Sequence, residues 1–393
     1  MSTKAVFLCG AKRTAIGSLQ GAFALVPATE LAAKVFESVL ATTAVPPESI
    51  DEVILGCVLS AGLGQAPARQ AALRAGLPQS VQAMTINKVC SSGLKAVMLA
   101  AQLVELGAAD AVLAGGTENM SLAPYLLPAL RTGARLGHAQ AEDSIIKDAL
   151  WDVYNDFHMG SCAELCARTH KISREAQDAF AVESYTRALH AIAAGNFKSE
   201  IVPVTVREGK AERSVDTDEE PGRGKLDKLP QLKPAFEKDG TVTAANASSI
   251  NDGAAGMLVC SESFAKQYNL VPLARVVGQG SHSQAPEWFT TAPVGAVEKL
   301  LARAKRTVES VDLFEINEAF SAVGIACSTL LKLDPSKLNV NGGAVALGHP
   351  VGGSGARILT TLLHSLDRLK LRAGVAAICN GGGEATALLV ERP

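Results

Sequence analysis

A chain of 393 residues exceeds what one hydrophobic core usually organises, so two or three domains are predicted. Hydrophobic residues make up 48% and charged residues only 19%, a shortage of charge that predicts surface hidden in a homo-oligomer. A net charge of -2 and a pI near 6.4 give no overall electrostatic reason to expect nucleic acid or a membrane as partner.

In chain order, short apolar strands alternate with longer helical patterns, which argues for parallel βαβ layers. Residues 5–9 read as a strand too short for a transport signal, 30–41 as a helix, 53–57 as a strand and 67–75 as a helix. Residues 84–89 lead to Cys90, and Leu94, Val97, Met98, Leu103 and Leu106 recur at helical intervals up to Gly107. A strand over 111–114 is expected to stop at Gly115-Gly116. No apolar run approaches the ~20 residues that would span a bilayer.

From 119 to about 250 the pattern changes to loops and helices, with prolines at 124 and 128, a helix over 173–194 and a charged stretch over 207–238. Such a segment is either a surface excursion or an insertion that covers a site. Alternation resumes near Ser248, and there the sequence repeats itself. Ser49-Ile50-Asp51 is echoed by Ser310-Val311-Asp312, and Ser92-Gly93-Leu94-Lys95 by Ser354-Gly355-Ala356-Arg357, at nearly one offset. Each Ser-Gly opens a helical pattern that ends in a strand and a glycine cluster. Two similar α/β units are therefore expected, residues 1–118 with 250–270 and residues 271–393, with 119–249 inserted and the equivalent helix starts meeting at a joint. Ligands favour such joints.

Chemistry-bearing residues stand at element ends in both units. Cys90 precedes a helix, whose unpaired N–H groups and dipole favour an anion, so a lowered thiol pKa is expected. Asn317 ends a strand, His349 lies in a glycine-bounded turn, and Cys379 ends an apolar strand before Gly381-Gly382-Gly383. Taken singly, each has a plain structural reading as a buried or turn residue. The eight cysteines show no CxxC spacing, and a reducing, cytoplasmic setting fits them best. Cys162 and Cys166, with His158 and His170 nearby, read as a helix start, and no metal site is assigned to them.

Together, Val89-Cys90-Ser91-Ser92-Gly93, Asn317-Glu318-Ala319-Phe320, Gly348-His349-Pro350 after Gly342-Gly343, and Cys379 before the glycines resemble thiolases along essentially the whole chain. Residues 240–244 and 251–254 match as well, and 150–152 with 158–160 resemble the insertion of the short-chain, biosynthetic type. The resemblance implies a five-layered α-β-α-β-α core and a reversible Claisen condensation of two acetyl-CoA to acetoacetyl-CoA and CoA. No cofactor beyond the CoA thioesters is implied. Cys90 would carry the acyl group with His349 as its base, and Cys379 would move a proton at the α-carbon. His349 with a water held by Asn317 would serve the enolate oxygen, and the N–H groups of Cys90 and Gly381 the tetrahedral oxyanion. Leu150, His158, Met159, Ser248, Ala319 and Phe320 are expected along the pantetheine tunnel, with Arg223 near the adenine end although out of register with the family's arginine. Asn380 and Glu384 depart from the family pattern beside Cys379. A longer-chain 3-ketoacyl-CoA thiolase shares every catalytic residue, and a non-catalytic CoA or lipid carrier of the same fold is the remoter alternative.

Overall fold

Period-two and period-three-to-four apolar patterns become strands and helices that stack in layers. The computed structural model describes residues 4–209 and 211–393. Its main-sheet strands of four or more residues are β1 (Val6–Thr14), β2 (Glu52–Gly56), β3 (Gln82–Ile86), β4 (Ala111–Asn119), β5 (Asn251–Ser261), β6 (Ala274–Ser283), β7 (Leu313–Ile316), β8 (Ala373–Asn380) and β9 (Glu384–Glu391). The principal helices are α1 (Ala28–Thr43), α2 (Pro67–Arg74), α3 (Ser92–Leu106), α4 (Met159–Thr169), α5 (Arg174–Ala194), α6 (Ala292–Ala304), α7 (Ser321–Leu330) and α8 (Val351–Leu369).

The strands follow the order β7-β8-β9-β6-β1-β5-β4-β2-β3, with two short strands paired off this path. β2 pairs in parallel with both β3 and β4, as does β7 with β8, while β5 and β9 run antiparallel to their neighbours. Only Phe7↔Arg275 and Leu8↔Ala274 join the halves edge to edge, across β1 and β6. α1 and α2 cover the outer face of the first half, α6 and α7 that of the second, and α3 and α8 pack between them. This is the expected five-layer order.

The sequence echoes have direct structural counterparts. Asp51 Oδ2 accepts from the N–H groups of Asp110 and Ala111, and Asp312 Oδ2 accepts from those of Arg372 and Ala373, the same tie in each half. Gly93 and Gly355 mark the crossing of α3 and α8: a Cβ on Gly355 would lie 2.5 Å from Leu94 N, and one on Gly93 2.8 Å from Ala356 N. Backbone therefore meets backbone, and the starts of the two helices are held together.

Three expectations need correction. Gly115 and Gly116 do not stop β4, which continues to Asn119; they are small because a Cβ there would meet Ala255 O at 2.1 Å and Gly352 O at 2.0 Å. α8 begins at Val351, earlier than the expected Gly355. An apolar stretch of 18 residues, Val89–Leu106, comes closer to the length that spans a bilayer than expected. It is apolar because α3 lies in the middle layer with a sheet on each side.

Between β4 and β5 the chain leaves the layers. A short helix (Ile146–Leu150) leads into a small hairpin of Trp151–Asp152 with Phe157–His158, then α4 and α5, and a second hairpin pairs Val204–Glu208 with Ala211–Val215.

Candidate active site

The turn before α3 is held in an unusual conformation. Val89 has φ of 46°, a left-handed value that a β-branched residue rarely adopts. Local bonds enforce it: Val89 N–H donates to Asn87 Oδ1 at 2.9 Å, and Ser92 Oγ donates to Val89 O at 2.6 Å while accepting from Lys88 N–H at 2.8 Å. Strain kept in place by surrounding bonds is common where one side chain must be aimed. Here that side chain is Cys90.

Cys90 is partly exposed at the wall of a cavity of about 390 Å³. The expected lowering of its pKa does not occur. Burial pushes the thiol up to about 12, the N–H groups of Gly381 and of Cys90 itself pull it back, and the charge of Glu118 adds a smaller upward push. A helix terminus acts locally, whereas the apolar cavity acts on the whole charge, and desolvation wins.

His349 reaches the same cavity from the other half. Gly348 (φ 99°) precedes it with the Asn251 amide packed where a Cβ would stand, and Asn251 Oδ1 accepts the His349 N–H at 2.9 Å. Ser354 Oγ gives its single proton to Pro350 O at 2.8 Å, so at 2.6 Å from His349 Nδ1 it accepts from Nδ1–H. That fixes the tautomer. Nε2 carries the free lone pair and has no partner among the described residues. Burial, helped by the positive charge of Arg357, lowers the imidazole pKa to about 3. Thiol and imidazole thus rest as a neutral pair.

Cys379 is fully buried near the end of β8 and does not line the cavity itself. Burial holds its thiol well above the ordinary value, and the nearby Cys90 raises it further. Gly381, two residues on, lines the cavity and directs its N–H at Cys90. Asn317 follows β7, its N–H bonded to Ala377 O at 3.0 Å. It is buried and is not among the residues that line the cavity, and neither side-chain amide atom has a partner among the described residues. Leaving both unpaired is costly unless a polar group reaches them.

Leu150, His158, Met159, Ser248, Ala319 and Phe320 all line the cavity. His158 caps α4 by accepting Gly160 N–H on Nδ1 at 3.0 Å, which places the ring proton on Nε2, and burial lowers its pKa. Ser248 gives its hydroxyl proton to Ala319 O at 2.9 Å, so its oxygen remains an acceptor. Arg223 stands exposed on the short helix Glu220–Arg223 and does not line the cavity. Among the described residues no three His, Cys, Asp or Glu side chains are grouped to hold a metal; Cys162 and Cys166 are buried on α4.

Sequence reasoning missed several contributors. Phe236 stacks on His158 with centroids 4.7 Å apart, yet it is a lone aromatic in the charged stretch with no periodicity to flag it. Phe289 and Ile250 complete the apolar wall. Glu118, buried behind Cys90, accepts the N–H groups of Val58, Leu59 and Gly352, while burial raises its pKa to about 7. Its place next to Gly115-Gly116 in the sequence was the available signal.

The arrangement joins a thiol, a neutral base with an open lone pair, a second buried thiol and two converging N–H donors, a set suited to acyl transfer followed by proton movement at carbon. Family profiles agree with this chemistry. The thiolase N-terminal domain matches residues 6–263, and the thiolase C-terminal domain matches residues 270–392. An acetyl-CoA acetyltransferase of Pseudomonas aeruginosa is 50% identical over 389 residues, covering 98% of this chain and 99% of the relative. Acetyl-CoA acetyltransferase 2 of Arabidopsis thaliana is 51% identical over 389 residues, with 98% and 96% covered. The crystal structure of the Bacillus anthracis acetyl-CoA acetyltransferase superposes with a TM-score of 0.97 at 42% identity, covering 100% of both chains. With family profiles spanning both halves and near-full-length relatives agreeing with the site, the chain belongs to the thiolase family.

Proposed function

We propose that this protein is an acetyl-CoA C-acetyltransferase that interconverts two acetyl-CoA with acetoacetyl-CoA and CoA through an acetyl-Cys90 intermediate. The observation that carries the reading is the convergence at one cavity of Cys90, the open Nε2 of His349 and the Gly381 N–H. The names of relatives about 50% identical carry the choice of acetyl group.

In acylation, His349 Nε2 takes the Cys90 proton and the thiolate attacks the thioester carbon. The Cys90 and Gly381 N–H groups stabilise the tetrahedral oxyanion. As that intermediate collapses, the C–S bond to CoA breaks and the departing thiolate takes the proton of Cys379. The Cys379 thiolate then removes a proton from the α-carbon of a second acetyl-CoA. Imidazolium His349 and Asn317 serve the enolate oxygen, an assignment supported by the unpaired buried amide of Asn317. Enolate attack on acetyl-Cys90 forms the new C–C bond, and Cys90 leaves to regain its proton from His349. Protons balance over the cycle. In thiolytic cleavage the steps reverse, and burial suits Cys379 to hold the proton that the departing carbanion receives.

Met159, Phe289 and Phe320 fill the cavity wall, and Met159 Cε lies 3.8 Å from where a Cβ on Gly381 would stand, which supports a short acyl pocket. Steady-state thiolysis of acetoacetyl-CoA against medium- and long-chain 3-ketoacyl-CoA esters tests this. kcat/KM is expected to fall at least ~10-fold as the chain lengthens. A constant or rising value would favour the longer-chain thiolase reading.

A homo-oligomer, dimer or tetramer, is proposed as the working form. β3 ends the sheet with no further strand paired to it among the described residues, and Tyr125, Leu127, Leu130 and Leu136 are exposed on the insertion, Leu136 at 99%. Open strand edges and exposed apolar groups invite another copy. Sedimentation at micromolar concentration is expected to give a dimer or larger species; a clean monomer overturns the proposal. A reducing, cytoplasmic setting is proposed too, supported by eight free cysteines, two of which the reaction needs as thiols.

A further inference from the structure

The two N–H donors at Cys90 come from different halves of the molecule, so something must hold their separation. The strand seam contributes little, since β1 and β6 share only two paired positions. Near the site, however, a polar bridge crosses the joint. Ser91 Oγ donates to Asn380 Oδ1 at 2.8 Å and lies 3.2 Å from Ile378 O. Asn380 Nδ2 in turn donates to Gly381 O at 2.8 Å and is 3.4 Å from Glu384 Oε2. Lys88 forms an ion pair with the same Glu384, whose other oxygen accepts from Ser283 Oγ at 3.0 Å. Ser91 and Asn380 are 0% and 1% exposed, so water does not compete for these bonds. The amide orientation follows from its neighbours: flipped, its oxygen would face the Gly381 carbonyl and the Glu384 carboxylate.

We propose that Asn380 is a positioning residue, which joins the Cys90 turn through Ser91 to the Gly381 loop and so sets where the Gly381 N–H meets the oxyanion. Lys88 and Glu384 brace the same joint from its more exposed edge. This rests on the acetyltransferase reading above. Asn380 touches no reacting atom in it; its side chain restrains the Gly381 peptide, and Ser91 is the immediate neighbour of the nucleophile. Errors of about 1 Å in such geometry cost on the order of 10²-fold in rate.

The experiment compares wild type, Asn380→Leu, Ser91→Ala, Ser91→Thr and the Asn380→Leu/Ser91→Ala double variant in acetoacetyl-CoA thiolysis, with melting curves for each. Asn380→Leu is expected to lower kcat ~10- to 100-fold with KM within about twofold. Ser91→Ala should show a smaller loss that Ser91→Thr restores, and the double variant should be no slower than Asn380→Leu alone. In Asn380→Leu, the pH at which iodoacetamide alkylates Cys90 should also move upward, because the thiolate loses a well-placed donor. Unchanged kcat in a folded Asn380→Leu enzyme, or additive losses in the double variant, overturns the proposal. If Asn380→Leu does not fold, the Ser91 pair decides: no loss in Ser91→Ala, or no rescue by Ser91→Thr, overturns it. A wild-type enzyme that does not turn over acetoacetyl-CoA overturns the functional reading and this proposal with it, a result distinct from an active wild type matched by an active Asn380→Leu.

Discussion

Replacing Cys90 with alanine is expected to abolish acetyl transfer, whereas Cys379→Ala still becomes acetylated on Cys90 but neither condenses nor cleaves. Intact-protein mass spectrometry after exposure to acetyl-CoA checks the first half: one acetyl group on Cys379→Ala and none on Cys90→Ala. Steady-state thiolysis checks the second, with both variants at least ~10⁴-fold below wild type, as expected when a nucleophile or a proton-transfer partner acting as part of a unit is removed. The contrast follows from placement. Cys90 faces the cavity and receives the Gly381 N–H, whereas Cys379 lies behind it with its proton retained by burial. Because acylation in the Cys379 variant must protonate CoA by another route, its mass increment should appear more slowly than in wild type. Full turnover in either variant would reject the two-thiol assignment.

The second large effect concerns His349. Its Nε2 lone pair is the cavity's open base, so His349→Ala should lower kcat/KM for thiolysis on the order of 10²- to 10⁴-fold. The pH profile carries more information. With the imidazole lowered to about 3 and the Cys90 thiol raised to about 12, wild-type kcat/KM should be flat from about pH 5 to 9. A break near the imidazole's ordinary 6.5 would show that the pair is not neutral at rest.

Stability has the matching sign. Between 6.5 and 3 the unfolded chain binds a proton at this histidine that the folded chain refuses, so stability present above 6.5 is lost as pH falls toward 3. The loss attributable to His349 between pH 7 and 4 is on the order of 3 kcal/mol. Glu118, raised from 4.5 to about 7, works in the opposite sense, its contribution being present below 4.5 and lost as pH rises through 7. Urea melts of wild type against His349→Leu at both pH values separate the two, because only the histidine term disappears in the variant.

Much of this architecture is legible in the sequence. Repetition of Ser-x-Asp and of Ser-Gly worked because each marks a local requirement: a carboxylate tying the next strand's first N–H groups, and a helix crossing with no room for a Cβ. Cys90, His349 and Gly381 were readable because fixed motifs place them. What stayed hidden depended on the whole environment. The rise of the Cys90 pKa comes from burial by distant segments, which a helix terminus in the sequence cannot reveal. Phe236 reaches the cavity from a stretch whose charge suggested a solvated loop. Asn380 and Glu384 stood out only as departures, and their partners Ser91 and Lys88 lie in the other half. Gly115-Gly116 misled because glycine serves close packing as readily as it ends a strand.

The division of the site between two halves also orders events during synthesis. Cys90 emerges from the ribosome long before His349, Cys379 and Gly381. Until the later strands dock, the nucleophile has neither its base nor its opposing amide donor. A chain truncated before Gly381 would retain the thiol without its opposing amide donor.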